Sequence, residues 1–139
     1  MKVVLDTNIF ISGIHWEGSP YKVLQAWAHN KFELISSPEI IEELINTLLN
    51  FKKPLPPEDI LWWKDLILQK ATIVIPTKKL DIIKNDPDDN KFLEAAKQSQ
   101  ANYLISRDKK HILILKKFEK TLILSPEEFL KILEQREKQ

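Results

Sequence analysis

Residues 1–8 read MKVVLDTN: three apolar residues, Val3, Val4 and Leu5, followed by an aspartate. The run is β-branched and continuous rather than alternating, the pattern of a strand covered on both faces in a parallel sheet. A carboxylate directly after such a strand is costly inside a core. Asp6 is therefore expected at the carboxyl edge of the sheet, where open parallel sheets bind ligands. A turn or helix-capping aspartate is the plainer alternative, and Asn8 is placed to orient Asp6 or to cap the next helix. MKVVLD is too short an apolar run for a signal peptide or a membrane span.

Four further runs share this character: FELIS (32–36), TIVI (72–75), YLIS (103–106) and TLIL (121–124). Stretches with helical spacing lie between them. Ser19-Pro20 opens a run through Ala28, Ser37-Pro38 one through Leu49, Pro57-Glu58 one ending near Lys70, and Ser125-Pro126 the last. Asp86-Pro87 stands at the start of the 88–99 run. A capping Ser or Asp followed by Pro at the first helical position is a strong helix-start signal. The expected order is β, α, α, β, α, α, β, α, β, α, β, α, an α/β sandwich. With 139 residues and no linker or repeat, a single domain over 1–139 is expected.

Hydrophobic residues make up 43% of the chain, so a packed core is within reach, and the formal net charge of +1 gives no global basic field. Local lysine pairs (Lys52–Lys53, Lys78–Lys79, Lys109–Lys110, Lys116–Lys117) would have to grip any polyanion; a solvated surface is their plainer reading. The absence of cysteine excludes disulfides, thiolate zinc sites and cysteine nucleophiles. A cytoplasmic protein that does not enter membranes is the expectation. The helix at 58–70 is unusual: Ile60, Leu61, Trp62, Trp63, Leu66, Ile67 and Leu68 point nearly all round it. Adjacent tryptophans cannot share one face, which suggests a protein interface; deep burial within the domain is the alternative.

The acids repeat the logic of Asp6. Asp108 follows the strand YLIS, with Ser106 placed to hydrogen-bond nearby. NDPDDNKFLEAA (85–96) crowds Asp86, Asp88 and Asp89 before a helical run. Asp89 precedes Phe92, Leu93 and Ala96 by three, four and seven and so shares their inward side, but Asp88 precedes Phe92 by four and is not cleanly separated from it. Asp86 is the better cap candidate. Glu42 and Glu43 both flank the apolar stripe of SPEIIEELINTLL, and periodicity does not choose between them. Carboxylates from two strand ends and two helices, gathered at one edge, would raise one another's pKa, and a hard cation such as Mg²⁺ or Mn²⁺ would relieve the repulsion. His15, His29 and His111 follow no ligand spacing and read as ordinary polar residues.

At these residues the chain resembles the PIN-domain nucleases, in particular the prokaryotic, VapC-like branch of toxins from toxin–antitoxin pairs. The resemblance is carried by VVLDTN (3–8), SPEIIEEL (37–44), DPDDNKFLEAA (86–96) and YLISRD (103–108), in order and spacing. It implies a three-layer α/β/α sandwich around a five-stranded parallel sheet of order 3-2-1-4-5, with Asp6 and Asp108 meeting where strands 1 and 4 lie side by side. It places the family's acids on Asp6, Glu43, Asp89 and Asp108, with Asn8 and Ser106 in support. A further acid that often follows the fourth is replaced by Lys110. The implied activity is a Mg²⁺- or Mn²⁺-dependent endoribonuclease that cleaves RNA phosphodiester bonds and leaves 5′ phosphates. Arg107, Lys109 and Lys110 would hold the RNA backbone, a small antitoxin would cover the acids, and a homodimer would form, with the Trp62/Trp63 helix its surface. A housekeeping RNA-processing nuclease would use the same residues, and an inactive RNA- or protein-binding scaffold would keep the fold alone. A haloacid-dehalogenase-like phosphatase would need an acid where Asn8 stands. A phospho-receiver domain would need an Asp after the third strand, which here runs into Ile75-Pro76-Thr77.

Overall fold

A computed structural model describes residues 1–138; Gln139, the last residue of the expected 1–139 domain, lies outside the described residues. The strands are β1 (Lys2–Leu5), β2 (Glu33–Ser36), β3 (Thr72–Ile73), β4 (Tyr103–Ile105), β5 (Lys117–Phe118) and β6 (Thr121–Leu124). The helices are α1 (Thr7–His15), α2 (Ser19–Ala28), α3 (Pro38–Asn50), α4 (Pro57–Lys70), α5 (Asn90–Ser99) and α6 (Pro126–Glu137). The sheet runs β3-β2-β1-β4-β6-β5. Its first five members are parallel and keep the expected order, TLIL (121–124) taking the fifth place.

Three details differ from the sequence expectation. TIVI (72–75) is not a buried strand: only Thr72–Ile73 pair with the sheet, at its edge, and Ile75 is 65% exposed. The sheet is mixed, because β5 pairs antiparallel with β6. The hairpin between them turns through Glu119 at φ 52. Two residues among lysines carry no readable period, so β5 has no signal in the sequence. The helix expected between β4 and TLIL is only a 3-10 turn over Leu113–Leu115. Lys116, at φ 61, ends that turn. Four lysines in this stretch, at 109, 110, 116 and 117, leave too little apolar surface to hold a longer helix against the sheet.

Strand residues alternate between two cores, as a period of two requires. Val3, Leu5, Leu34 and Ile105 face one layer, with α1, α2, α6 and much of α3 and α4. Val4, Ile35, Leu104 and Ile123 face the other, with α5. This is the three-layer sandwich. Phe129 of α6 is fully buried against Phe32 and Tyr103, its ring 5.2 Å from Phe32 in an edge-on arrangement. Ser125 and Glu128 start α6 with a reciprocal capping box. In α4, Ile60 and Ile67 are buried and Trp63 packs on the core, whereas Leu61, Trp62 and Leu68 are exposed, Trp62 at 58%. Burial therefore accounts for one face of α4 and not for the other.

Gly13 sets the approach of α1 to α2. A Cβ there would lie 2.6 Å from Leu24 Cδ1 and 2.9 Å from the Pro20 carbonyl oxygen. Alanine would gain about 1 kcal/mol of helix propensity, but overpacking against backbone costs about 1–3 kcal/mol. Gly13→Ala is expected to lower stability in urea unfolding; a higher midpoint at unchanged slope would show that the helices separate freely.

Candidate active site

The parallel register brings residues 6 and 106 together. Leu5 pairs with Ile105, and beyond the strand ends the Asp6 N–H still donates to the Ile105 carbonyl at 3.1 Å. Asp6 is 3% exposed. Its Oδ1 accepts from the backbone of Asn8 at 2.9 Å and Ile9 at 3.2 Å, so Asp6 is itself the N-cap of α1. Its Oδ2 accepts the Ser106 hydroxyl, and Ser106 Oγ in turn accepts the Asp108 N–H at 3.0 Å. Ser106 thus couples the two strand-end acids. The Asn8 side chain does not cap α1; that work falls to Asp6.

Asp108 opens a tight turn, its Oδ1 accepting from the backbone of Lys110 and His111, both at 3.0 Å. Glu43 projects half-buried from α3, while Glu42 is exposed. The Thr7 hydroxyl donates to Glu43 Oε2 and the Lys91 ammonium lies 2.7 Å from Oε1. Asp89 closes a 3-10 turn over Pro87–Asp89 and leads into α5, half-buried, where Asp88 is exposed. Neither Asp86 nor Asp89 makes a side-chain cap hydrogen bond, so the capping expected of Asp86 is absent. The buried Asn90 fastens this segment instead. Its Oδ1 accepts from Ile82 at 3.1 Å and Ile83 at 2.9 Å, and its Nδ2 donates to the carbonyls of Ile83 and Pro87, both at 3.0 Å.

Asp6, Glu43, Asp89 and Asp108 line one cavity of ≈ 160 Å³, with Asn8 and Thr47 on its wall. Arg107, Lys109 and Lys110 do not line it. All three are exposed on the loop that carries Asp108, and Arg107 pairs with Glu127 at 3.0 Å. His111, read from sequence as an ordinary polar residue, is part of the site's surroundings. Its Nδ1 lies 3.4 Å from Asp108 Oδ2, and it offers a donor within 4.8 Å of donors on Asp86 and Asp89. His15 and His29 only hydrogen-bond to carbonyls. Thr7, Lys91 and His111 were not singled out from sequence. The one available signal was proximity, each lying one to three residues from an acid that was.

The electrostatics follow from this crowding. Burial pushes the Asp6 carboxyl up to about 6 against the opposing hydrogen bonds from Ser106, Ile9 and Asn8, with a smaller push from Asp108. Burial also pushes Asp89 up to about 7, reinforced by the charges of Asp86, Asp108, Asp6 and Glu43. Asp6 and Asp89 resist ionising, and a carboxylate lining fits a hard divalent cation; among the described residues, the three donors that lie within 4.8 Å of one another are those of Asp86, Asp89 and His111. The imidazole at its margin admits Mn²⁺ as readily as Mg²⁺.

The chain is similar to several known proteins. An uncharacterized protein of Methanocaldococcus jannaschii, MJ1680, is 34% identical over 113 residues, which is 78% of this chain and 72% of that relative. Among solved structures, VapBC2 from Rickettsia felis bound to a DNA fragment from its promoter superposes with a TM-score of 0.60 at 19% identity, over 90% of this chain and 98% of that one. FitAcB from Neisseria gonorrhoeae superposes with a TM-score of 0.54 at 13% identity, over 89% and 97%. At such identities the likeness establishes a common fold. The sequence profile of the PIN domain matches residues 2–110, a span that contains every acid of the cavity, and the chain belongs to the PIN-domain family.

Proposed function

We propose that this PIN domain is a metal-dependent endoribonuclease that hydrolyses RNA phosphodiester bonds, and that the whole chain, 1–139, acts as one such domain. The observation that carries the reading is the single cavity shared by Asp6, Glu43, Asp89 and Asp108, drawn from two strand ends, one helix and one helix entrance. These four would hold Mg²⁺ or Mn²⁺. When bound, such an ion lowers the pKa of water and offsets charge that builds on the phosphate oxygens. The chain's own residues do the rest. Ser106 and the α1 N-terminus fix the Asp6 carboxylate, Thr7 and Lys91 fix Glu43, and Asn8 lines the wall. Arg107, Lys109 and Lys110 would bind the RNA backbone, with an affinity that falls as salt rises.

The fold shared with VapBC2 and FitAcB supports a finer reading, a cytoplasmic toxin of a toxin–antitoxin pair whose small partner covers the acids. The exposed face of α4, with Leu61, Trp62 and Leu68, supports a homodimer through that helix. Trp62→Glu is expected to convert a dimer to a monomer in light scattering; a wild-type chain that is monomeric at high concentration removes this surface from the reading.

Asp6→Asn keeps an acceptor for the α1 cap and removes the charge. It is expected to lower RNA cleavage more than about 100-fold, beyond the 10–100-fold that outer partners of a metal centre cost, with the far-ultraviolet spectrum unchanged. Full cleavage by pure Asp6→Asn protein would refute the assignment, as would wild-type cleavage in chelator.

The raised carboxyls also give stability a definite slope. An acid whose pKa is higher folded than unfolded binds its proton more tightly in the fold. Its stabilising contribution is complete near the unfolded value of 3.8 and is lost as pH rises through about 6 for Asp6 and about 7 for Asp89. For Asp6 the loss is about 3 kcal/mol. In chelator, melting temperature is expected to rise as pH falls from about 7.5 to about 5.5, and Asp6→Asn to lessen that rise, of which Asp89 supplies the larger part. Mn²⁺ at the higher pH should restore the stability. A chelated wild-type protein that melts higher at the upper pH contradicts this account.

A further inference from the structure

Lys91 follows Asn90 in the first turn of α5, and its side chain is only 12% exposed. Lysine is rarely covered to that extent unless its ammonium is paired. Its partner is Glu43, at 2.7 Å. Among the described residues, Glu43 is the only one of the four cavity acids with a lysine or arginine partner. The Thr7 hydroxyl holds its other oxygen, so both sides of this carboxylate are engaged by the protein. A second, wider cavity of ≈ 630 Å³ adjoins the first and shares Glu43 and Thr47 with it. Glu39, Glu42 and Asp88 line that space, and Lys91 is the one cationic residue on its wall. Lys91 therefore lines the wider space and is tied to the carboxylate that the two spaces share.

We infer that Lys91 is a positioning residue that holds Glu43 in place and, as a resident positive charge, weakens the binding of a divalent cation in the neighbouring acid cavity. This rests on the reading of that cavity as a cation site. Cation affinity at oxygen sites follows the charge the ligands present, and Lys91 withdraws one unit of it through Glu43. The same contact, with the Thr7 hydroxyl on the other oxygen, fixes the orientation of the Glu43 carboxylate. Lys91 thus works in two opposite directions, against cation affinity and for the placement of an acid.

The test is Mn²⁺ titration by calorimetry of the chelator-treated full chain, beside turnover of a single-stranded RNA at saturating Mn²⁺. Lys91→Met is expected to bind Mn²⁺ roughly ten-fold more tightly, the order of effect for removing one opposing charge paired with a carboxylate of the cavity. Its kcat should fall roughly ten-fold, as for loss of an outer partner, with KM for RNA unchanged. Lys91→Arg restores the charge and should return Mn²⁺ affinity to the wild-type value. Lys91→Gln keeps a donor to Glu43 without the charge, so it should bind Mn²⁺ as tightly as Lys91→Met, and it carries the test if the methionine variant does not fold. Mn²⁺ affinity that is equal or weaker in a folded, uncharged variant overturns the inference and leaves the nuclease reading standing. A wild-type chain that binds no Mn²⁺ overturns both.

Discussion

Four carboxylates in a cavity of ≈ 160 Å³ repel one another, and much of this structure is arranged to hold them there. Left to themselves, such groups would turn outward to water or take up protons. Here each is tethered. Asp6 is locked by Ser106 and by the start of α1, Asp108 by its own turn, Glu43 by Thr7 and Lys91, and Asp89 by the segment that Asn90 fastens. Burial first, and the neighbouring charges second, raise the proton affinities of Asp6 and Asp89. A site that is unfavourable when empty favours whatever neutralises it, which is why crowding of this kind is a sign of function rather than of stability.

The parallel sheet makes the crowding possible. Its strands end at a common edge, and the pairing of Leu5 with Ile105 fixes Asp6 beside Ser106 with no freedom of register. The two remaining acids come from helices on either side of that edge, α3 with Ile41, Leu44 and Leu48 buried in one core and α5 with Phe92, Leu93 and Ala96 in the other. The long segment between β3 and α5 has almost no regular structure. It is held by two buried polar side chains of α5, Glu94, which accepts the Leu80 N–H at 2.8 Å, and Asn90. The helix that presents Asp89 therefore also anchors the loop leading to it.

What could be read from sequence follows the strength of each local signal. The buried strands β1, β2, β4 and β6 are legible as apolar runs, and the ends of β1 and β4 put Asp6 and Asp108 at the sheet edge, with a turn or capping aspartate as the plainer alternative. Periodicity could not separate Glu43 from Glu42 or Asp89 from Asp88, because adjacent helical positions differ by 100° and both members of each pair border the apolar stripe. The family pattern named Glu43 and Asp89, and these are the two that line the acid cavity while their neighbours are exposed. Lys91 and His111 were illegible for another reason. Their significance lies in contacts with residues far off in the chain or in a loop without a period, and apart from nearness to an acid nothing in their immediate sequence differs from that of a surface lysine or histidine. β5 and the short turn after Asp108 were missed because two or three residues cannot display a repeat.

Asp6 and Asp89 differ in what each would leave behind if chemistry ceased to matter. Asp6 terminates a strand, starts a helix and binds a buried serine, so a descendant that no longer cut anything would still be under pressure to retain it. The Asp89 carboxylate accepts no hydrogen bond from the described residues and sits among like charges, a burden to the architecture with no structural return. In surveys of related genomes, the state of the second position is therefore the better diagnostic of a working enzyme, and the first is a poor one.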